Sequence, residues 1–577
     1  GLTFLKGKWV QVDQDRWQAA LKHWNALQAE HVGGIDFLKG MRLLAGAGFG
    51  AAIDDDVNRW TQIAPGPWLE ETLSRIREPD GTIKLAAQDR LQATLRPYQA
   101  VGARWLWMLY QLGVGGCLAD DMGLGKTIQV IALLLEIQAS QHKTKGPPSL
   151  LILPTSLLGN WQREIERFAP SLRSLTYHRS ALEVPVMQRI ASAPQAELAD
   201  VDVVLTTYGL ARREKWLTKL KWKLVVLDEA QAIKNVGSAQ AKAIKAISSE
   251  GRLVLTGTPV ENHLGDLWSL FDFCSPGLLG TPAQFKKFVA VEDPPTLSLR
   301  MKALRKLIRP FVLRRMKTDP NIVSDLPEKT EMRVDCGLTQ TQATLYKMVT
   351  DELEKSLDVA SGIQRRGRVL AALMQLKQIC NHPALYLKQP DFALDASSKF
   401  AELQRICDTI SEKQERLLVF TQFESMCQPL EYFLSEVFGQ NGLVLTGKTP
   451  AKRRKGLVDA FQQPDGPPFF VISLKAGGTG LNLTEANHVV HFDRWWNPAV
   501  EDQATDRAFR IGQRRNVLVH KFVCCGTLEE RIDAMIQSKK QISSELFDPS
   551  GEINLTELSN QELLQFVSLD LAKAMEG

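Results

Sequence analysis

The chain has 577 residues, 44% hydrophobic and 23% charged, which excludes a disordered or collagen-like protein. Its 70 basic and 65 acidic side chains leave a net charge of +5, excluding a histone-like blanket of positive charge but not a local basic stripe. No apolar run reaches the roughly 18 residues of a membrane span. At roughly 100–200 residues per domain, the length predicts about three to five domains. The eight cysteines are scattered without a C-x2-C pair, so neither a disulfide scaffold nor a zinc ribbon is expected. Cys380 and His382 lie close together, but no second ligand pair follows. A reducing compartment is the natural setting. The chain begins at Gly1 rather than Met and shows no signal peptide, so room is left for an upstream part.

A strand-like run, Phe4 to Val12, leads into a helix expected from about Asp15. On it Trp17, Leu21 and Trp24 share one face, a core stripe rather than a binding platform. Gly33-Gly34 breaks the chain, a second helix is expected from about Ile35, and Pro65-Gly66-Pro67 reads as a loop. From about Leu95 short β-rich runs alternate with helical ones. They are Gly116–Ala119, Leu150–Leu153, Val201–Thr206, Leu224–Asp228 and Leu253–Thr256. A second series is Leu417–Thr421, Leu443–Leu445, Phe469–Leu474, His488–Phe492 and Val517–Val523. Several are apolar without alternation, as strands buried on both faces are. Two such series, separated by a helical stretch from about His263 to Ile410, predict two α/β domains with parallel sheets. Capping boxes are expected at Thr527 with Glu530 and at Ser559 with Glu562. The second opens an apolar C-terminal helix.

Four segments carry chemistry. DDMGLGKT, residues 120–127, follows a strand and opens a helix, the context of a phosphate loop. Gly123 and Gly125 let the backbone wrap phosphate oxygens at a helix N-terminus. Lys126 would reach the β- and γ-phosphates, and the Thr127 hydroxyl would hold magnesium. Asp120 replaces the usual first glycine, so a plain glycine-rich turn stays open at this segment. LVVLDEAQ, residues 224–231, delivers Asp228 and Glu229 at a strand's C-terminal end. There Asp228 suits a magnesium ligand and Glu229 a base acting on water. LTGTPVEN, residues 255–262, offers the hydroxyls of Thr256 and Thr258, or is an ordinary turn. QATDRAFRIGQ, residues 503–513, places Arg507 and Arg510 three apart, on one face if helical. They would supply the cations a transferring phosphoryl group needs, or form a solvated face.

In order and wording these segments resemble the Swi/Snf ATPases, helicase-superfamily-two motors that translocate on double-stranded DNA. The resemblance runs from about Leu95 to about Leu546. It includes LRPYQ (95–99), ILPTSLLGNWQREI (152–165), TTY (206–208), LRRMKTD (313–319), LPEKT (326–330), LKQICNHP (376–383) and LVFTQF (418–423). It also takes in the long segment ending DRWWNP at 472–498.

The resemblance implies an α/β fold of two RecA-like parallel-sheet lobes with helical insertions and a small α-rich N-terminal accessory segment. It implies an ATP site lined by Gln99, Asp120, Met122, Gly123, Gly125, Lys126, Thr127, Gly480 and Gln503. Gln99 would read adenine, and Gly480 and Gln503 would couple the second lobe. Thr127 and Asp228 would hold magnesium, Glu229 would act on water, and Arg507 and Arg510 would be the second lobe's fingers. An Asp at position 120 is usual in that family. Gln231 and Phe509 depart from it, each standing where a His is frequent.

The expected layout is an accessory segment at 1–88, lobe one at 89–318 with an insertion at about 264–315, lobe two at 319–546 with an insertion at about 338–395, and a helical tail at 547–577. The expected protein is a bacterial-type member, cytoplasmic at the nucleoid and monomeric.

The small net charge hides a local bias. Arg300, Lys302, Arg305, Lys306, Arg309, Arg314, Arg315 and Lys317 fall in one stretch without an acid. Lys448, Lys452, Arg453, Arg454 and Lys455 form a second cluster, and Arg365, Arg366 and Arg368 a third. Arg305, Arg309, Arg314, Arg315, Lys452 and Arg453 are the candidate contacts to the DNA backbone. Leu304, Leu307 and Ile308 interleave the first cluster, so part of it is a buried helix face. Arg314 and Arg315 could instead pair with acids. No sequence-reading motif is evident. Trp495 and Trp496 could stack on bases, but a packed role is preferred. Three functions remain open: a duplex translocase that remodels a DNA-bound complex, a strand-separating DNA or RNA helicase, and an ATP-gated scaffold for a partner such as RNA polymerase.

Overall fold

The computed structural model describes residues 2–5, 8–11, 36–47, 64–77, 85–140, 146–257, 264–290, 293–317, 319, 322, 327–357, 362–477, 481–542 and 559–576. These form two compact units, residues 1–121 with 125–316, and residues 122–124 with 317–577.

At the start of the first unit, Leu2–Leu5 (β1) pairs antiparallel with Lys8–Gln11 (β2), a hairpin where one strand-like run was expected. The expected helix with Trp17, Leu21 and Trp24, and the Gly33-Gly34 break, lie outside the described residues. The next helix is Phe37–Ala45 (α1). Asp36 caps it by accepting from the Lys39 N–H, and Gly46 ends it at φ 69°. The loop expected at Pro65-Gly66-Pro67 gives way at Pro67 to Pro67–Arg77 (α2), since proline suits the first helical position.

The unit's sheet has seven strands: Gly116–Leu118 (β3), Ser149–Leu153 (β4), Ser174–Thr176 (β5), Val203–Thr207 (β6), Lys221–Asp228 (β7), Ser248–Leu255 (β8) and Val312–Leu313 (β9). Their order is β5-β6-β4-β7-β8-β3-β9, and every pairing is parallel. β3, β4 and β6 are buried along their whole length, as their unbroken apolar runs require. Register places Asp228 beside Leu255 and Leu255 beside Leu118. The acidic strand end and the loop that follows β3 therefore leave the sheet at the same carboxyl edge.

Helices Pro97–Gln111 (α3), Lys126–Ser140 (α4) and Leu158–Phe168 (α5) belong to this unit. So do the insertion helices Leu264–Cys274 (α6), Pro282–Val289 (α7) and Pro294–Ile308 (α8).

The second unit's sheet has six strands: Lys329–Cys336 (β10), Leu417–Thr421 (β11), Leu443–Leu445 (β12), Phe469–Ser473 (β13), His488–His491 (β14) and Val517–Cys524 (β15). The order is β10-β15-β14-β11-β13-β12, again parallel throughout. The stretch read as helix after helix thus also contains two strands. β9 returns to the first sheet, and β10 forms an edge of the second. β10 has no apolar run because its middle is exposed, and β9 has only two residues.

Helices Gln340–Leu357 (α9) and Gly362–Asn381 (α10) pack over Tyr346, Leu373 and Leu376 in one apolar core. The tail helices Asn560–Val567 (α11) and Leu571–Glu576 (α12) close that core with Leu563, Val567 and Ala574. Ser559 and Glu562 form the expected reciprocal box. Thr527 does not, because its hydroxyl accepts from the Glu529 N–H while Glu530 accepts from the Gly526 N–H. Among the described residues no helix is long and apolar enough to cross a membrane.

Candidate nucleotide site

The loop after β3 bends through two left-handed glycines, Gly123 at φ 89° and Gly125 at φ 79°. Side chains with a Cβ rarely adopt that backbone, which explains the residue choice. The Lys126 ammonium donates to the carbonyls of Asp120 and Asp121, curled back on the loop that would present it to phosphate. Thr127 and Met122 are half-buried. Gln99 is buried, and its side-chain oxygen accepts from the Arg96 N–H, capping α3.

Asp228 is buried, and burial raises its carboxyl above the ordinary range. Opposing that are the Trp161 indole, the charge of Lys126 and the Glu229 N–H. Trp161 Nε1 donates to Asp228 Oδ2 at 2.8 Å, and the Tyr208 hydroxyl donates to the Asp228 carbonyl at 2.7 Å. Glu229 sits at φ 50°, one of three non-glycine residues with positive φ among those described. Such a conformation costs about 1–3 kcal/mol and is characteristic of working sites. The Glu229 N–H donating to Asp228 Oδ1 at 2.9 Å holds it there. Each Asp228 oxygen thus accepts one hydrogen bond and keeps a lone pair. With the Thr127 hydroxyl this is an all-oxygen donor set of the kind magnesium takes, so the residues fit the metal.

Trp161 and Tyr208 lie inside segments the sequence singled out, yet no sequence signal pointed to a role for either. Asp120 and Arg315 need correcting. The Asp120 side chain is wholly buried, its carboxylate bound by Arg315 and Gln129. Arg315 Nε donates to Asp120 Oδ1 at 2.8 Å, and Arg315 is 8% exposed. Arg315 is therefore a buried ion-pair partner and not a DNA contact. The carbonyl of Asp120, rather than its carboxylate, meets Lys126.

In the second unit, Arg507 and Arg510 do not share a helix face. The helix Pro498–Thr505 stops at its C-cap Asp506, and both arginines lie in the turn beyond it. The turn forms because Phe509 enters the core, its N–H and that of Ala508 both bonding to the Thr505 carbonyl. Arg507 is fully buried, while Arg510 is half-exposed and donates to the Leu481 carbonyl at 3.1 Å. Gln503 is half-buried on the helix. Gly480 and Thr258 lie outside the described residues, and Thr256 is buried at the end of β8.

Of the basic candidates, Arg309, Arg314 and Arg453 are exposed and Arg305 is half-buried. The side chain of Lys452 lies outside the described residues. Leu304, Leu307 and Ile308 are buried, so α8 presents only its other side to solvent. Lys317 is also buried, paired with Asp506 at 2.9 Å.

Trp495 and Trp496 are half-buried beside the Lys377 ammonium, which lies 5.6 and 5.1 Å from their rings. Burial lowers Lys377 to a pKa of about 8. Behind them Lys399 pairs with Glu529 at 2.8 Å, both fully buried, and Arg494 holds Glu501 at 3.0 Å. This network fixes the tryptophans as packing residues. His382 is a helix cap: Nδ1 accepts from the Ala384 N–H, and Nε2 lies 2.9 Å from the Ala393 carbonyl.

Two all-parallel sheets, one of them carrying a phosphate loop and an acidic strand end at the same edge, define a protein with two RecA-like lobes. Residues 98–385 match the SNF2-related domain, and residues 398–512 match the helicase conserved C-terminal domain. The chain belongs to the Swi/Snf-type ATPase family of helicase superfamily two.

The ATP-dependent helicase/translocase candidate YwqA of Bacillus subtilis is 40% identical over 98% of this chain and 61% of its own length. The ISWI chromatin-remodeling complex ATPase CHR17 of Arabidopsis thaliana is 33% identical over 86% of this chain and 46% of its own. The chain therefore spans about half to three fifths of these relatives. The Sulfolobus solfataricus SWI2/SNF2 ATPase core in complex with dsDNA is 40% identical, covering 85% of this chain and 100% of that one, with a TM-score of 0.40.

Proposed function

We propose that this protein hydrolyses ATP and uses the energy to move along double-stranded DNA without separating the strands. The observation that carries the reading is the shared carboxyl edge of the first sheet. There the left-handed glycine loop with Lys126 stands at the same end as Asp228 and the left-handed Glu229. Lys126 would leave the Asp120 carbonyl to bind the outer phosphates. Thr127 and Asp228 would hold magnesium, which when bound neutralises phosphate charge. Glu229 would orient the attacking water and take its proton. Arg507 and Arg510 would set positive charge against the transferring phosphoryl group, a contribution worth about 10³–10⁵ in rate for such fingers.

Gln99 would read the adenine, Met122 would line the site, and Gly480 and Gln503 would couple the second lobe to it. Exposed Arg309, Arg314 and Arg453, with Arg305 and Lys452, would follow the DNA backbone. The names of the relatives, a helicase/translocase and a remodelling ATPase, support the reading. A DNA-bound complex such as RNA polymerase is the proposed target, the protein is proposed to act as a monomer at the bacterial nucleoid, and its proposed parts are an accessory segment at 1–88, lobes at 89–318 and 319–546 and a helical tail at 547–577.

The test is the ATPase rate with no DNA, with single-stranded DNA and with duplex DNA, using Lys126→Ala as the inactive control. Duplex stimulation together with displacement of a third strand from a triplex is expected. Glu229→Gln should bind ATP without turning it over. Unwinding of a forked duplex would establish the strand-separating reading instead. A rate indifferent to every nucleic acid, with full cellular function in Glu229→Gln, would establish the scaffold.

A further inference from the structure

We propose that Arg315 is a positioning residue that couples the basic helix α8 to the phosphate loop. The inference rests on the reading above, that ATP binds at this loop and DNA along α8.

A short, stiff connector joins the two. After α8 the chain makes a tight turn, Arg309–Phe311, then β9, then Arg315. Phe311 is fully buried, and the Pro310 carbonyl accepts from Trp105 Nε1 at 3.2 Å, so the turn is anchored to α3. β9 lies alongside β3, with Val312 opposite Cys117 and Leu313 opposite Leu118. The pairing continues past both strands into the loop. The Ala119 N–H donates to the Leu313 carbonyl at 2.7 Å, and the Asp121 N–H to the Arg315 carbonyl at 3.0 Å. The backbone leaving the basic helix is therefore zipped to the first residues of the phosphate loop.

The Arg315 side chain completes the link. Its guanidinium binds both carboxylate oxygens of Asp120, the Gln129 side-chain oxygen at 2.6 Å and the Tyr98 carbonyl. Its carbon centre lies 5.0 Å from the Tyr98 ring centroid. Gln129 in turn donates to Asp120 Oδ2 and to the Gly125 carbonyl, each at 3.2 Å. Arg315 thus reaches the loop's beginning directly and its far end through Gln129. No Cβ fits at Gly102, where it would overlap both Gln129 and Arg315, so the cluster has no room to rearrange on the α3 side. This accounts for the aspartate where a phosphate loop ordinarily has glycine. Asp120 is the handle by which Arg315 holds the loop. A lysine could not span these partners, because its three donors share one nitrogen, whereas the guanidinium spreads five donors across a rigid plane.

A buried ion pair can also be merely structural, and the test separates the two roles. Removing one partner alone leaves a buried charge, so the pair is removed together in Asp120→Gly with Arg315→Leu, which restores the ordinary glycine. ATP affinity is measured with and without saturating duplex DNA, alongside the melting temperature. Coupling between two sites is ordinarily worth about 5–150-fold in affinity. The wild type should show a change in that range, and the double variant less than about a 2-fold change on adding DNA. Arg315→Lys, which keeps the charge, should show the same loss and serves if the double variant does not fold. Wild-type coupling in either folded variant overturns the proposal while leaving the function intact. A wild type whose ATP affinity ignores duplex DNA overturns the coupling, and absence of duplex-stimulated turnover in that same wild type takes the function with it.

Discussion

Replacing Trp161 with phenylalanine should damage the site through one hydrogen bond. The indole N–H donates to Asp228 Oδ2 at 2.8 Å, and Trp161 is 1% exposed. Phenylalanine keeps an aromatic ring there and deletes the donor. A hydrogen bond to a charged group contributes about 1.5–3 kcal/mol. Its loss should raise the Asp228 pKa further, in the direction burial already pushes it. A protonated carboxyl cannot ligate magnesium, so the acid limb of kcat/KM should move to higher pH, and on that limb kcat/KM should fall by roughly 10–100-fold, the equivalent of that hydrogen bond. Near its new midpoint the enzyme should need more magnesium. The assay is kcat/KM for ATP against pH and against magnesium concentration. Trp222→Phe is the control, since Trp222 is equally buried but donates to the Leu217 carbonyl at 2.8 Å. It should lower the melting temperature without moving the pH profile. An unshifted acid limb and an ordinary magnesium titration in Trp161→Phe would refute the reasoning.

Three further outcomes are expected. Gly125→Ala should abolish nucleotide binding in a calorimetric titration, because φ is +79° and the new Cβ would overlap the Gln99 amide, whereas Gly159→Ala, with nothing within 4 Å, should be silent. Lys399→Met should lose about 3–5 kcal/mol in a denaturant melt by stranding the buried Glu529 carboxylate, and adding Glu529→Leu should recover much of it. Acid should unfold the protein in a window set by two histidines. Burial lowers His491 from 6.5 to about 3 and His520 from 6.5 to about 4. Between those values the unfolded chain binds protons that the folded chain refuses, so stability is complete above about 6.5 and is lost as pH falls, by up to about 1.4 kcal/mol per pH unit per group. His491→Phe should flatten that slope in melts between about pH 4 and 6.5. An equally steep slope in that variant would place the acid sensitivity elsewhere.

The strands of both sheets were legible wherever they were apolar on both faces. Leu417–Thr421 falls where it was expected, and Phe469–Ser473 lies within its expected run, both buried throughout. Burial writes itself into local composition, and parallel sheets bury both faces. β10 escaped because an edge strand with an exposed middle has no such run, β9 because two residues carry no period, and the edge strand β5 because it is three half-buried residues. The phosphate loop was equally readable, since a left-handed backbone leaves glycine as its trace.

The chain by itself therefore determined the fold class, the family and the residue types of the site. Tertiary structure decided which charges are available. Arg314 and Arg315 are neighbours in one basic run, yet Arg314 is exposed and Arg315 is buried against Asp120, nearly two hundred positions away. Trp161 and Tyr208 became partners of Asp228 for the same reason. A charge or a donor acquires its role from what burial places beside it, and partners so distant along the chain leave no local pattern to read. The +5 of the whole chain says nothing of that sorting. Solvent exposure decides it residue by residue.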